Sequence, residues 1–245
     1  MTPDLALIVA AGAGLAGFVA GLAGFGTGLV ALGVWLHVLD PLLAAPLVVI
    51  CAVVGHFQSL WSLRRRLVWS RLRPFLVGGL PGVPLGTLLL GLLDPEVFRG
   101  LVGVFLLVYA GTLLLLRQMP VLNFGGRLAD AAVGLGGGVL GGFAGLSGPL
   151  PTIWCSLKGW SKDEQRSVFQ GFNLSILSLA LISQALGGVV TREVLLLGLV
   201  CLPATSLGAW LGRCSYDRID DRQFRRLVLW LLLASGAALT VSNLP

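Results

Sequence analysis

Charged residues interrupt this chain so rarely that its hydrophobic pattern is defined by the gaps between them. Eight stretches free of Asp, Glu, Lys and Arg cover residues 5–39, 41–63, 74–93, 100–116, 131–157, 167–191, 194–212 and 227–245. A helix needs roughly 20 apolar residues to cross a bilayer. Inside lipid the backbone must bond within its own segment, so these stretches predict helices or pieces of helices. The longest polar connection, 213–226, is too short to enclose a core. Residues 1–245 therefore read as a single membrane domain of an all-α polytopic membrane protein. No cleavable leader is expected, because Met1-Thr2-Pro3-Asp4 lacks a basic start and the apolar run behind it is too long for a leader core.

Composition agrees with the pattern. Charged residues make up 11% of the chain, against about 25% in a soluble domain. The net charge of +6 would suggest nucleic acid in a soluble protein. Here no basic-aromatic surface exists to bind it, and Lys and Arg in short loops set membrane orientation instead. Cys51, Cys155, Cys201 and Cys214 have neither zinc-ligand nor redox spacing. They read as small packing residues, and no metal or other cofactor is expected.

The chain repeats itself. Gly21-Leu22-Ala23-Gly24-Phe25-Gly26-Thr27-Gly28 matches Gly142-Phe143-Ala144-Gly145-Leu146-Ser147-Gly148-Pro149, 121 residues later. Leu80-Pro81 with Leu85-Gly86 matches Leu202-Pro203 with Leu207-Gly208. Phe98-Arg99 with Leu101-Val102 matches Phe224-Arg225 with Leu227-Val228. Three matches in one order at nearly constant offset divide the chain into repeats over 1–120 and 121–245.

Basic residues choose between parallel and inverted repeats. If every run crosses once, Lys and Arg fall evenly on both sides. If the long first and fifth runs enter and return on one side, only Arg99 and Arg192 of the 17 basic residues stand apart from the rest. Such a bias is what the positive-inside rule expects. The predicted fold is two inverted-topology repeats, each a broken helical hairpin plus three transmembrane helices, with both termini outside.

Each broken run carries the repeated octet near its middle. Glycine is costly in a helix interior and frees the chain to turn, and Pro149 and Pro151 remove donors from the helical ladder. Irregular backbone at membrane depth persists only where protein buries it or water reaches it. The start of a half-helix presents free N–H groups that favour anions, and in inverted-repeat transporters matched broken helices build the substrate site near the midplane. The spacings Gly17/Gly21, Gly24/Gly28, Gly134/Gly138 and Gly141/Gly145 equally suit close helix packing. For the octet as a repeated unit, the expectation is a site for a small anionic substrate. Its residues would be Gly24, Gly26, Thr27, Gly28, Gly145, Ser147 and Gly148, with Gln58, Gln170 and Asn173 completing the shell.

All eleven acidic residues lie at run ends or in connections, so neither a carboxylate proton relay nor a dehydrated cation site is expected. His56 is the only mid-span group titrating near neutrality; it is the proton-linked candidate, weighed against a purely structural role. An inside-negative potential favours anion exit by about 2.3 kcal/mol per charge per 100 mV, so export by itself needs no built-in proton coupling.

Together, the two-repeat layout, the paired octets, the short basic turn over 64–73 and the stretch Gln170-Gly171-Phe172-Asn173 resemble the sulfite exporter TauE/SafE family of membrane permeases. The resemblance covers nearly the whole chain. It implies a transporter, not an enzyme, moving small sulfur-containing anions such as sulfite or organosulfonates across the bacterial cytoplasmic membrane. A homo-oligomer is compatible with this layout.

Two rivals stand beside that reading. Broken helices with anion-attracting ends also suit an anion channel. Gly145-Leu146-Ser147-Gly148 has the form of an intramembrane serine protease motif, but a nucleophilic serine needs a base, and no histidine follows Ser147. The dinucleotide-like glycines 12, 14 and 17 lie within an uncharged run with no preceding strand and are set aside.

Overall fold

A computed structural model describes residues 3–63, 68–115, 125–215 and 221–242; the side chains at 3, 58–63, 162, 163, 166 and 221–225 lie outside the described set, Gln58 among them. The described residues form helices and no strands. The first apolar run divides into α1 (Pro3–Ala23) and α2 (Thr27–Trp35), followed by α3 (Pro41–Leu63), α4 (Trp69–Leu92) and α5 (Pro95–Leu115). The fifth run divides in the same way into α6 (Gly126–Ala144) and α7 (Pro149–Leu157), followed by α8 (Lys162–Leu186), α9 (Arg192–Cys214) and α10 (Asp221–Ser242). Within α1, α4, α5, α8 and α9 lie five spans long and apolar enough to cross a bilayer, and Pro41–Phe57 and Arg226–Ser242 are shorter apolar helices. Outward faces are apolar too: Leu7, Val77, Leu88, Leu199, Trp210 and Trp230 are all exposed. Such a surface suits lipid rather than water.

Helices meet along glycine seams. α1 packs along α9, and α6 along α4. Gly17 and Gly21 abut the backbone at Thr205 and Ala209, while Gly134 and Gly138 abut it at Phe75 and Gly79. Close approach of this kind drives helix association where lipid removes the hydrophobic incentive. The packing reading therefore holds for these two glycine pairs. α3 rests on α8 and α9, α4 on α8, and α5 on α10. The N-terminal end of α8 is fixed by a capping box between Ser161 and Glu164. Donation from the Ser161 N–H and hydroxyl holds the Glu164 carboxyl below its ordinary pKa, and Arg71 lies 3.0 Å away.

Both broken runs fold back as hairpins. Thr27 starts α2 just beyond the end of α1, yet Trp35 at its far end donates Nε1–H to the Val9 carbonyl at 3.1 Å. The arms are therefore antiparallel. In the second hairpin Trp154 donates to Asp130 Oδ1 at 2.7 Å, and Lys158 Nζ lies 3.5 Å from the same oxygen. A net hydrogen bond contributes about 1 kcal/mol between neutral groups and about 1.5–3 kcal/mol to a charged one. Trp154→Phe is accordingly expected to lower the melting temperature of the purified protein more than Trp35→Phe. Equal shifts would show that Asp130 does not depend on the indole.

Candidate functional site

The site is assembled at the tips of the two hairpins. Glycine is required at each turn. Gly24 (φ 82°) and Gly145 (φ 68°) occupy the left-handed region that closes a helix. Gly24 N–H bonds the Ala20 carbonyl, Gly145 N–H bonds Gly141, and Leu146 N–H reaches back to Leu140. The two tips touch. A Cβ on Gly28 would lie 2.7 Å from the Gly145 carbonyl oxygen, and one on Gly148 would lie 3.1 Å from Asn173 Nδ2.

Gly26, Thr27, Gly28, His56, Gly145, Ser147, Gly148 and Asn173 line one small cavity, completed by the apolar Leu29, Ala52, Leu146, Pro149 and Leu177. Its free space holds about one water molecule. Depth follows from the helices that flank it. Ala52 is the central residue of α3, and Asn173 is one short of the centre of α8. At 1.5 Å per residue both lie roughly 16–20 Å from their helix ends.

Several polar groups on the residues lining the cavity can donate hydrogen bonds. α2 starts at Gly26 with no side-chain cap, leaving its first-turn N–H groups without intrahelical partners. α7 also starts without a side-chain cap, at Gly148. The two starts are unequal, however. Pro149 and Pro151 occupy the first and third positions of α7, so within those three residues only Leu150 carries an N–H. The sequence predicted a matched pair of N–H cradles; the structure puts the richer donor set on α2. α8 and α9, in contrast, are capped by the Ser161 and Thr191 side chains.

Side chains complete the set. Ser147, 1% exposed, donates its hydroxyl to Asn173 Oδ1 at 2.8 Å, with Asn173 itself 1% exposed. That bond orients the amide and leaves its Nδ2 hydrogens to face other acceptors. Thr27 is buried at the first position of α2, and its hydroxyl has no protein partner among the described residues. Among the described residues, no Asp, Glu, Lys or Arg lines the cavity. Among the described residues no group of His, Cys, Asp and Glu could hold a metal ion.

Three expected residues stand apart. Gly24 forms the turn and does not line the cavity. Gln170 lies one helical turn before Asn173; it is fully buried, with neither amide atom hydrogen-bonded among the described residues, and it too does not line the cavity. Gln58 falls outside the described residues. Sequence reasoning missed the apolar wall, which nothing in the composition singles out, and the tryptophan pins. The pins did leave a signal: Trp35 and Trp154 are separated by nearly the repeat offset.

A family model described as Sulfite exporter TauE/SafE matches residues 9–239, nearly the whole chain. No curated protein matches the chain, and no solved structure does.

Proposed function

The chain belongs to the sulfite exporter TauE/SafE family of membrane transporters, and from that premise we propose that it is a secondary carrier for a small sulfur-containing oxyanion such as sulfite or an organosulfonate. The anion binds between the hairpin tips, which must part to admit it because the cavity as it stands holds about one water molecule. N–H groups at the start of α2, the hydroxyls of Thr27 and Ser147 and the Asn173 amide donate to its oxygens, with Gly26, Gly28, Gly145 and Gly148 letting the backbone approach closely. The observation that carries this reading is the convergence of an uncapped half-helix start with buried neutral donors near the middle of α3 and α8, in a cavity that no acid lines among the described residues. Preorganised donors of this kind suit an anion and offer nothing to a metal cation. Gln170 completes the path one turn away, where a passing oxyanion would give its buried amide a partner.

Alternating access between inverted repeats is the proposed mechanism. Exchanging α1–α5 for α6–α10 turns the α1–α9 contact into α6–α4 and the α3–α9 contact into α8–α4, and leaves α3–α8 and α5–α10 unchanged. This interchange supports two equivalent halves, and the one-sided distribution of basic residues supports their inversion. The Ser147 proton is directed at an amide oxygen, which is not a general base, so Ser147 reads as a binding residue rather than a nucleophile. The setting is the bacterial cytoplasmic membrane with both termini outside. A reporter fused after Pro245 is expected to register outside, and a cytoplasmic signal would overturn the inverted arrangement.

The direct test is sulfite flux down its own gradient in proteoliposomes, with protein-free vesicles subtracted. Saturable flux, weakened tenfold or more in the Thr27→Ala/Ser147→Ala pair, is expected from losing two charge-assisted hydrogen bonds. No protein-dependent flux of sulfite, sulfoacetate or methanesulfonate by folded protein would reject the carrier.

A further inference from the structure

We propose, resting on the reading above, that the carrier moves its anion together with one proton held on His56, so that the loaded site crosses with no net charge. His56 is buried in the C-terminal half of α3 and lines the same cavity as Thr27, Ser147 and Asn173. Its ring has no hydrogen-bond partner among the described residues.

Among the described residues, no charged side chain on an element packed against α3 lines the cavity. α2 carries none. α1 has none after Asp4, α5 none after Arg99, α6 none after Asp130, α8 none after Arg166, and α9 none between Glu193 and Arg213. The titratable groups those helices place within the membrane are the Cys51 thiol on α3, the Cys201 thiol on α9 and the Tyr109 phenol on α5. None of them lines the cavity.

An isolated charge in such a place is expensive, whichever sign it has. The donors on Thr27, Ser147 and Asn173 are neutral and solvate an anion without cancelling its charge. An imidazolium cancels it. Conversely, an imidazolium in the empty cavity has no counter-charge, and a bound anion supplies one. Anion and proton therefore favour each other's binding, and by linkage they do so to the same degree. The proton comes from water on the loading side to a ring nitrogen of His56 and leaves to water on the release side. No bond of the anion is made or broken.

This changes the energetics expected from sequence. A neutral loaded site is not driven by the membrane potential; the combined gradients of anion and proton set its direction instead. In the empty return step His56 is neutral and the cavity again carries no charge.

The test is the net charge moved per sulfite in proteoliposomes with equal pH on both sides, the potential clamped by a potassium ionophore and protein-free vesicles subtracted. A carrier moving one net charge has a tenfold sulfite gradient balanced at ~59 mV. For the wild type, bisulfite with one imidazolium is neutral, so no potential is expected to balance the gradient or to change the flux. His56→Gln is expected either to move one negative charge per sulfite or to lose net flux. Wild-type flux balanced by a potential would overturn the proposal, as would electroneutral flux retained in His56→Gln. Absence of any protein-dependent sulfite flux would instead reject the carrier reading on which it rests.

Discussion

Gly138→Val is expected to leave no folded, monodisperse protein, the largest effect on stability foreseen here. Gly138 of α6 faces the Gly79 backbone of α4 so closely that even a single added Cβ collides with the carbonyl there. Backbone cannot rotate aside as a side chain can, so the helices must separate. Overpacking a core usually costs about 1–3 kcal/mol, and here the whole α4–α6 seam is pushed apart, from Gly78 against Ala131 to Gly142 against Val83. Gly138→Ala is expected to fold with a lowered melting temperature. Gly91→Ala and Gly100→Ala provide the contrast, since nothing lies within 4 Å of a Cβ at either position and alanine favours a helix over glycine by about 1 kcal/mol. Size-exclusion profiles and melting curves of the four variants check this. A monodisperse Gly138→Val would mean that α4 and α6 are not packed through glycine.

Asn173→Asp is the matching prediction for transport. The substitution is nearly isosteric, and the Ser147 hydroxyl can donate to a carboxylate as it does to the amide oxygen at 2.8 Å. The fold is therefore retained. What changes is the sign of the site: two N–H donors disappear and a negative charge appears in a cavity lined by no Lys or Arg. Loss of one charge-assisted hydrogen bond alone removes about 1.5–3 kcal/mol, roughly ten- to a hundredfold in affinity, and like-charge repulsion adds to it. Sulfite flux is expected to fall by more than about a hundredfold in protein that still folds, with a lowered melting temperature because an unpaired buried charge is costly. Asn173→Ala is expected to lose less. Ser147→Ala combined with Asn173→Ala is expected to lose less than the product of the two single effects, because the residues share a hydrogen bond. An Asn173→Asp protein with unimpaired flux would place the anion elsewhere.

Much of this was legible in the sequence because it depends on length and repetition. Uncharged runs over 5–39 and 131–157 are too long for one span, and both became helical hairpins. The repeated octet marked the two tips, and the structure brings Gly26, Thr27, Gly28, Gly145, Ser147 and Gly148 to one cavity. Finer features depend on helix rotation, which composition does not encode. Gln170 and Asn173 are both fully or nearly fully buried on α8, yet only Asn173 reaches the cavity. The Ser147–Asn173 bond joins residues 26 apart and needs the α6–α7 turn to be set first. The octets' likeness also suggested equal halves, whereas Pro149 and Pro151 make the α7 start poorer in donors than α2. The GxxxG spacings were ambiguous in sequence for a physical reason. Gly17/Gly21 and Gly134/Gly138 are seams, while Gly24 and Gly145 are turns, and small size serves both.

The central claim is that a sulfur oxyanion binds between the hairpin tips, and anomalous scattering from selenite, a heavier analogue of sulfite, tests it most directly. Crystals of the protein soaked in selenite are expected to show a selenium peak within hydrogen-bonding reach of Thr27, Ser147 and Asn173, lost in Asn173→Asp. An empty cavity, with selenium instead beside the Arg71 and Lys158 side chains at the helix ends, would contradict the account.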